Sequence, residues 1–315
     1  MIRTVIDIGS NSIKMRIAKV QNGHVTVIRD ETEVVRLGRG MSSGLNEKGN
    51  ATGNENMLRE DSMRASCDAV VRMSKRAKKF TDDIFIVGTM ALRTAKNSDV
   101  FIKMIKDSCG LDIHVFSGED EAKYSWLGAV DGFNLKGEAV MFDSGGGSTE
   151  FVSGSDGHMN ESVSVPVGAV NLSERFFPDY YRPVRGAAYN QAIEYVMKLF
   201  SENDIERFRF SPCEFIGVGG GVVTMASVRN AYETFMPSKL HGSILTQRDI
   251  VRQIQMYSSL TLRERQDIIG LPASRADVIL GSECIILTAM RILNAKSLTV
   301  SINGLRHGLL LRDIS

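Results

Sequence analysis

Apolar and polar positions fall in short blocks along the whole chain, and the blocks alternate between a two-residue period and one near 3.6 residues. Thr4 to Ile8 is an apolar run, and Ile13, Met15 and Ile17 then alternate with Lys14 and Arg16, as in a half-buried strand. Val25 to Ile28 and Val34 to Leu37 predict a second hairpin. Gly38 to Asn56 is polar and rich in Gly, Ser and Asn, which predicts a surface loop. Met63, Cys67, Val70, Val71 and Ala77 recur at helical spacing. Ile84 to Val87 predicts a short buried strand, Phe101, Ile102 and Ile105 a helix ending near Gly110, and Ile113 to Phe116 another strand. Ser117 and Asp120 have the spacing of a capping box for the helix that follows.

The second half repeats this alternation. Ala139 to Phe142 and Thr149 to Val152 predict strands on either side of a Gly-rich turn, and Phe215 to Val218 a strand entering Gly219-Gly-Gly221. Ile193, Val196, Met197 and Phe200 share one helix face. Thr246 and Asp249 can cap a helix carrying Ile250, Ile254 and Tyr257. A long helix from about Ser274 to Leu293 precedes a strand from Leu298 to Ile302. Strands and helices in this order argue for an α/β protein with mixed sheets.

Composition narrows the function. The 315 residues are enough for two domains, and an apolar share of 43% with 24% charged is ordinary for a globular chain. A net charge of +1 gives no global field for nucleic acid, so a polyanionic substrate needs a local patch. Cys67, Cys109, Cys213 and Cys284 are far apart, which argues for buried thiols in a reducing compartment rather than a disulfide framework or zinc ribbon. The first seven residues run straight into a strand pattern without a signal-peptide signature. Apolar runs all fall short of the ~20 residues a membrane-spanning helix needs. The expectation is a soluble, cytoplasmic protein without nucleic-acid or membrane partners.

The most informative feature is a repeat. Asp7-Ile-Gly9-Ser10-Asn11-Ser12 and Asp143-Ser-Gly145-Gly146-Gly147-Ser148 each follow an apolar strand, open with aspartate, turn through small residues and return as a second strand. Glycine there lets backbone N–H groups converge on an anion, Ser and Asn add donors, and the leading carboxylate can hold a divalent ion or its waters. One such turn alone is as readily a tight hairpin; two, with aspartate in register, are not readily a coincidence. A Walker loop is excluded because no Gly-Lys-Ser/Thr follows, and Gly217-Val-Gly219-Gly-Gly221 misplaces the third glycine of a dinucleotide fingerprint.

The duplicated hairpin resembles the phosphate-binding turns of the actin, heat-shock-protein and sugar-kinase superfamily. Within it, the chain resembles the exopolyphosphatase and guanosine pentaphosphate phosphohydrolase (Ppx/GppA) family over nearly its whole length. The segments that carry the likeness are Asp7 to Ser12, Gly88-Thr-Met-Ala-Leu-Arg93, Ser117-Gly-Glu-Asp-Glu121-Ala, Asp143 to Glu150, Arg275-Ala-Asp277 and Gly304-Leu-Arg306-His-Gly308. The chain departs from the family pattern at Asp120, Lys123, Ser144, Asn171, Gly221 and His307, none of which removes a carboxylate that the chemistry requires.

The resemblance implies two related actin-like (ribonuclease H-like) domains, mixed sheets flanked by helices, and a cleft between them. The expected division is Met1–Ala122 and Lys123–Leu298, with 299–315 rejoining the first domain. It implies phosphate binding by Gly9, Ser10, Asn11, Ser12, Arg93, Gly145, Gly146, Gly147 and Ser148. Glu121 is the implied general base, with Asp143, Glu150 and Arg93 completing the catalytic set. Asp143, Glu150 and, through waters, Asp7 are the implied ligands of Mg²⁺ or Mn²⁺, a monovalent cation being a further option. Glu119 and Asp120 read as surface charges, the five histidines as structural or solvated, and Trp126 as core. The basic tracts Arg72 to Lys79 and Arg182 to Arg185 read as solvated faces able to guide a polyanion.

The implied activity is release of orthophosphate from the end of inorganic polyphosphate, distributive because basic residues are dispersed. The alternative is the terminal phosphate of guanosine pentaphosphate. A kinase of the same superfamily, a non-catalytic phosphate-chain sensor and a homodimer stay open.

Overall fold

Ile2–Ile8 (β1) and Ser12–Gln21 (β2) pair antiparallel with Ile8 opposite Ile13, so the turn at residues 9–11 joins the two strands. In this computed structural model, which describes residues 1–41, 56–179, 181–184, 186–209 and 213–312, the chain forms two compact units. One comprises Met1–Gly128 with Leu305–Ser315, the other Ala129–Gly304.

The first unit has a five-stranded sheet in the order β3-β2-β1-β4-β5, with His24–Val34 as β3, Ile84–Gly88 as β4 and Ile113–Val115 as β5. β2 runs antiparallel to β1 and β3, whereas β4 is parallel to β1 and β5 to β4. Glu60–Ala77 (α1), Met90–Thr94 (α2) and Ser98–Cys109 (α3) lie between these strands in the chain, and Gly118–Val130 (α4) follows β5. Gly110, at φ +74°, ends α3 in the left-handed conformation that a glycine adopts without strain. Ile6, Ile8, Ile13, Met15 and Ile17 pack with Met63, Val70 and Met73 of α1 and Phe101 and Ile105 of α3. A smaller cluster puts Leu305, Leu309 and Leu310 with Val5, Ala18, Val20 and Val87.

The second unit has a six-stranded sheet in the order β10-β11-β9-β6-β7-β8. Its strands are Glu138–Ser144 (β6), Thr149–Ser155 (β7), His158–Val165 (β8), Glu214–Val218 (β9), Ile244–Thr246 (β10) and Ser297–Val300 (β11). Read from β8 to β11, order and direction repeat those from β3 to β5, and β10 is an added antiparallel edge. The helices are Ala169–Phe176 (α5), Gly186–Glu202 (α6), Gly220–Arg229 (α7), Pro237–Leu240 (α8), Gln247–Ser258 (α9), Leu262–Arg265 (α10) and Ile279–Ile292 (α11). Leu305–Leu310 (α12) belongs to the first unit.

The expected α/β class with mixed sheets is what forms, and several boundaries move. β3 is one strand, and Val34 to Leu37 is not a hairpin arm: the chain turns at Arg36 (φ +54°) and buries Leu37. Gly38, expected on a surface loop, is buried against Ser10, and the rest of that stretch at 42–55 lies outside the described residues. The last long helix starts at Ile279, after a 3₁₀ turn at Ala273–Arg275. Residues 299–304 stay with the second unit, because β11 pairs there with β9 and β10, and the first division falls after Gly128.

Helix α11 is buried on every side from Ile279 to Met290, as a helix apolar around its circumference must be. Its one carboxylate, Glu283, is fully buried, and neither oxygen has a hydrogen-bond partner among the described residues. Burial pushes this carboxyl well above its usual range, with the Arg265 guanidinium opposing. A raised folded-state value means the neutral acid fits the core, so stability falls as pH rises past the unfolded carboxyl's value of about 4.3. Glu283→Gln is therefore expected to be more stable than wild type in urea melts at pH 8. The advantage grows by up to about 1.4 kcal/mol per pH unit and closes near pH 4.3. Equal or lower stability of the variant at pH 8 rejects this account.

Candidate active site

A tight turn becomes an anion cradle only if its carbonyls are engaged away from the anion, because C=O and N–H point in opposite directions across a trans peptide. The second aspartate-led turn meets this condition at all three glycine carbonyls, and the first meets it at Ser10 and Asn11. In the first, Gly9 N–H donates to the Ser12 carbonyl at 3.1 Å, Gly38 N–H to Ser10 at 2.8 Å, and the amides of Val35 and Arg36 to Asn11 at 3.2 and 2.9 Å. In the second, Gly145 N–H donates to the Ser148 carbonyl at 3.0 Å. There Ala169 N–H donates to Gly145 at 2.9 Å and Val170 N–H to Gly146 at 2.8 Å. The amides of Ser10 and Asn11, and of Gly146, Gly147 and Ser148, donate to no group among the described residues. Ser10, Asn11, Ser12 and Ser148 are all buried.

The leading aspartates differ in what faces them. Residues directly opposite in an antiparallel pair share a face of the sheet, with Cβ atoms about 5 Å apart. Asp7 stands opposite Lys14, whose Nζ is 4.0 Å from Oδ2. Asp143 stands opposite Glu150. Two carboxylates in directly opposed positions are destabilising without a counter-charge, and Glu150 is only 1% exposed, with Ser164 Oγ donating to its Oε1 at 2.8 Å. Asp143 lies at the ends of parallel strands: Cβ atoms added to Gly219 and Gly304 would come within 3.2 and 3.5 Å of its carboxylate oxygens. Among the described residues no group of three His, Cys, Asp or Glu side chains could hold a metal. Mg²⁺ is commonly bound through one or two carboxylates and completed by waters and substrate phosphates, and the opposed positions of Asp143 and Glu150 supply two carboxylates on one face of the sheet.

In the first unit, Ser117 and Asp120 form the expected capping box, with Asp120 N–H donating to Ser117 Oγ at 3.0 Å and Ser117 Oγ to Asp120 Oδ2 at 2.7 Å. Glu121 follows in the first turn of α4 and is half-buried. Arg93, the fourth residue of α2, donates from Nη1 to Glu121 Oε2 at 3.1 Å and to the Phe116 carbonyl at 2.9 Å. The structure thus brings Arg93 and Glu121 into one contact, with the guanidinium fixing the carboxylate's orientation. Trp126 is buried.

Four contacts that the sequence reading did not assign support the second loop and the strand ends beside it, although Asn171 and Arg275 were already singled out as residues. Gly168 lies so close that an added Cβ would be 2.3 Å from Gly147 N and 2.4 Å from the Gly146 carbonyl carbon. Asn171 binds Gly147 through its side chain at 3.0 Å. Ser164 orients Glu150. Arg275 lies against the α-carbon of Gly220, where an added Cβ would meet its guanidinium at 2.1 Å; burial lowers this guanidinium's pKa, and Asp277 opposes the shift. The Val167-Gly-Ala sequence hints at the first, but no periodic pattern marks the others.

The model of the Ppx/GppA phosphatase family matches residues 16–315. The bifunctional 3-dehydroquinate synthase/phosphatase of Fusobacterium nucleatum is 28% identical over 99% of this chain and 46% of its own length. The guanosine-5'-triphosphate,3'-diphosphate pyrophosphatase of Photobacterium profundum is 28% identical over 98% of this chain and 59% of its own. The chain thus spans about half to three-fifths of these relatives. A solved PPX-GPPA enzyme from Aquifex aeolicus is 28% identical, with 99% of both chains covered and a TM-score of 0.79.

The Gly168 contact gives a direct test of the second loop. Gly168→Ala forces the loop from its backing, at a cost of about 1–3 kcal/mol for overpacking a rigid backbone contact. A lowered melting temperature and weaker binding of inorganic phosphate are expected together. Wild-type values of both would show that the contact does not shape the loop.

Proposed function

The chain belongs to the Ppx/GppA phosphatase family, and from that premise we propose that it hydrolyses the terminal phosphoanhydride of inorganic polyphosphate and releases orthophosphate. The observation that carries the reading is the amide-lined turn used twice, each with its carbonyls diverted and a carboxylate at its head. A phosphate chain is the ligand class that such cradles suit, since each takes oxygens by N–H donation without needing a base or sugar.

In the proposed reaction the two loops hold phosphoryl groups through the amides of Ser10, Asn11, Gly146, Gly147 and Ser148 and the hydroxyls of Ser10, Ser12 and Ser148. The Asn11 side chain and the amides of Gly9 and Gly145 complete the assigned set. Arg93 supplies forked positive charge to the transferred group while keeping Glu121 oriented. Glu121 positions a water and takes its proton; the water oxygen bonds to the terminal phosphorus as the bridging P–O bond breaks, and the shortened chain leaves with the electron pair. A Mg²⁺ or Mn²⁺ ion held by Asp143 and Glu150 would neutralise charge on phosphate oxygens. Lys14 matches the charge of Asp7, which argues against Asp7 as a direct ligand.

A second reading, hydrolysis of guanosine pentaphosphate, is favoured by the name of the Photobacterium relative. The deciding experiment is phosphate release from polyphosphates of defined length beside guanosine pentaphosphate and ATP. Preference for polyphosphate supports the first reading and preference for the nucleotide the second. Transfer from ATP to an added acceptor would sink both.

Two outcomes test the assigned residues. Glu121→Gln should lower kcat by at least about 10²-fold, the lower end of general-base assistance, with substrate binding retained. Near-full turnover would remove Glu121 from the mechanism. Excess chelator should abolish activity, and Asp143→Asn should raise the Mg²⁺ concentration for half-maximal rate; unimpaired hydrolysis in chelator would rule out the metal role.

A further inference from the structure

The two loops divert their carbonyls by different means. In the first, backbone suffices: the Asn11 carbonyl takes the successive amides of Val35 and Arg36. Bringing both amides to one oxygen leaves Arg36 at φ +54°, a conformation that costs a non-glycine residue roughly 1–2 kcal/mol. In the second loop, Gly147 occupies the position of Asn11, counting from the leading aspartate. Its carbonyl receives no backbone amide among the described residues. It is bonded instead by Asn171 Nδ2 at 3.0 Å, while Asn171 Oδ1 accepts from Gly168 N–H at 2.8 Å. These partners fix which way the side-chain amide points, since an N–H can only donate and a carbonyl only accept. Asn171 also gives its backbone amide to the Gly146 carbonyl at 3.4 Å.

We propose that Asn171 is a positioning residue for phosphate binding in the second loop, an inference that rests on the hydrolase reading above. With Gly145, Gly146 and Gly147 all held at their carbonyls, the N–H groups of Gly146, Gly147 and Ser148 are aimed together to the other side. Asn171 supplies the third of these anchors. Without it the Gly147–Ser148 peptide can rotate, and the cradle loses the Ser148 amide.

The alternative role is capping of α5, and Asn171→Asp separates the two. Aspartate keeps an acceptor for Gly168 N–H and suits the first turn of a helix, but it sets an oxygen against the Gly147 carbonyl. Kinetics on polyphosphate of defined length and thermal melts with and without tripolyphosphate supply the readouts. The expected result is an unchanged melting temperature for the ligand-free variant, a KM raised roughly 5–10-fold, and kcat within about twofold, with weaker protection by tripolyphosphate. That size corresponds to one neutral hydrogen bond, and the split to loss of binding common to ground and transition states.

Asn171→Ala, which adds no charge to repel the substrate, must show the same rise in KM when assayed well below its melting temperature, whether or not Asn171→Asp folds well. Wild-type KM and tripolyphosphate protection in a folded variant would overturn the proposal and leave Asn171 as a helix cap. Absence of phosphate release and of tripolyphosphate protection in the wild-type protein would overturn the hydrolase reading itself, and this inference with it.

Discussion

A polypeptide can bind an anion with its backbone only where the neighbouring carbonyls are occupied elsewhere, since each peptide carries both charges of its dipole. In both halves of this chain carbonyls beside the aspartate-led turn are taken up by other groups. A strand ends in aspartate, the chain turns through small residues, and a later segment arrives to take the carbonyls: residues 35–38 in the first unit and 168–171 in the second. In the second unit the demand spreads inward. The helix that donates those amides, α5, packs so tightly on α11 that a Cβ added to Gly281 would lie 2.6 Å from the Ala169 carbonyl and 2.5 Å from Ser173 Oγ.

The repeated turn carries opposite charge balances. Opposite Asp7 stands a lysine, so the first head group is matched within its own hairpin. Opposite Asp143 stands a second carboxylate, buried and held by a serine hydroxyl. One change at one register position, Lys14 against Glu150, gives the same scaffold an oppositely charged pair in one hairpin and two carboxylates in the other. Shared topology therefore does not imply shared chemistry, which lies in single side chains projecting from it.

The fold was legible where burial imposes a period. β1, β4 and β9 show as apolar runs and β2 as an alternation, because both faces, or one whole face, are covered. His158–Val165 gave no such signal: β8 is an edge strand, half exposed and mostly polar, fixed by its pairing with β7 rather than by its own pattern. Val34 to Leu37 looked like strand because it is apolar, but its hydrophobicity serves the packing of Leu37 under a turn. The site divides similarly. Both loops were visible because all their parts are contiguous, whereas Arg93 with Glu121 and Asn171 with Gly147 meet across 28 and 24 residues. Single contacts at such separations leave no repeating trace in a sequence.

The first unit is discontinuous in the chain, and this bears on the order in which it can be built. Val5, Ala18, Val20 and Val87 share a hydrophobic cluster with Leu305, Leu309 and Leu310 of α12, which is synthesised after all of the second unit. The closing contacts are specific: Arg16 and Arg306 converge on Asp30, Arg3 donates to the carbonyls of Leu310 and Arg312, and Gly308 passes so close to the Tyr124 carbonyl that no side chain fits. On the ribosome the second unit, contiguous from Ala129 to Gly304, can complete itself first. The first must wait with part of its sheet face wet until α12, which follows the second unit in the chain, emerges and makes it whole.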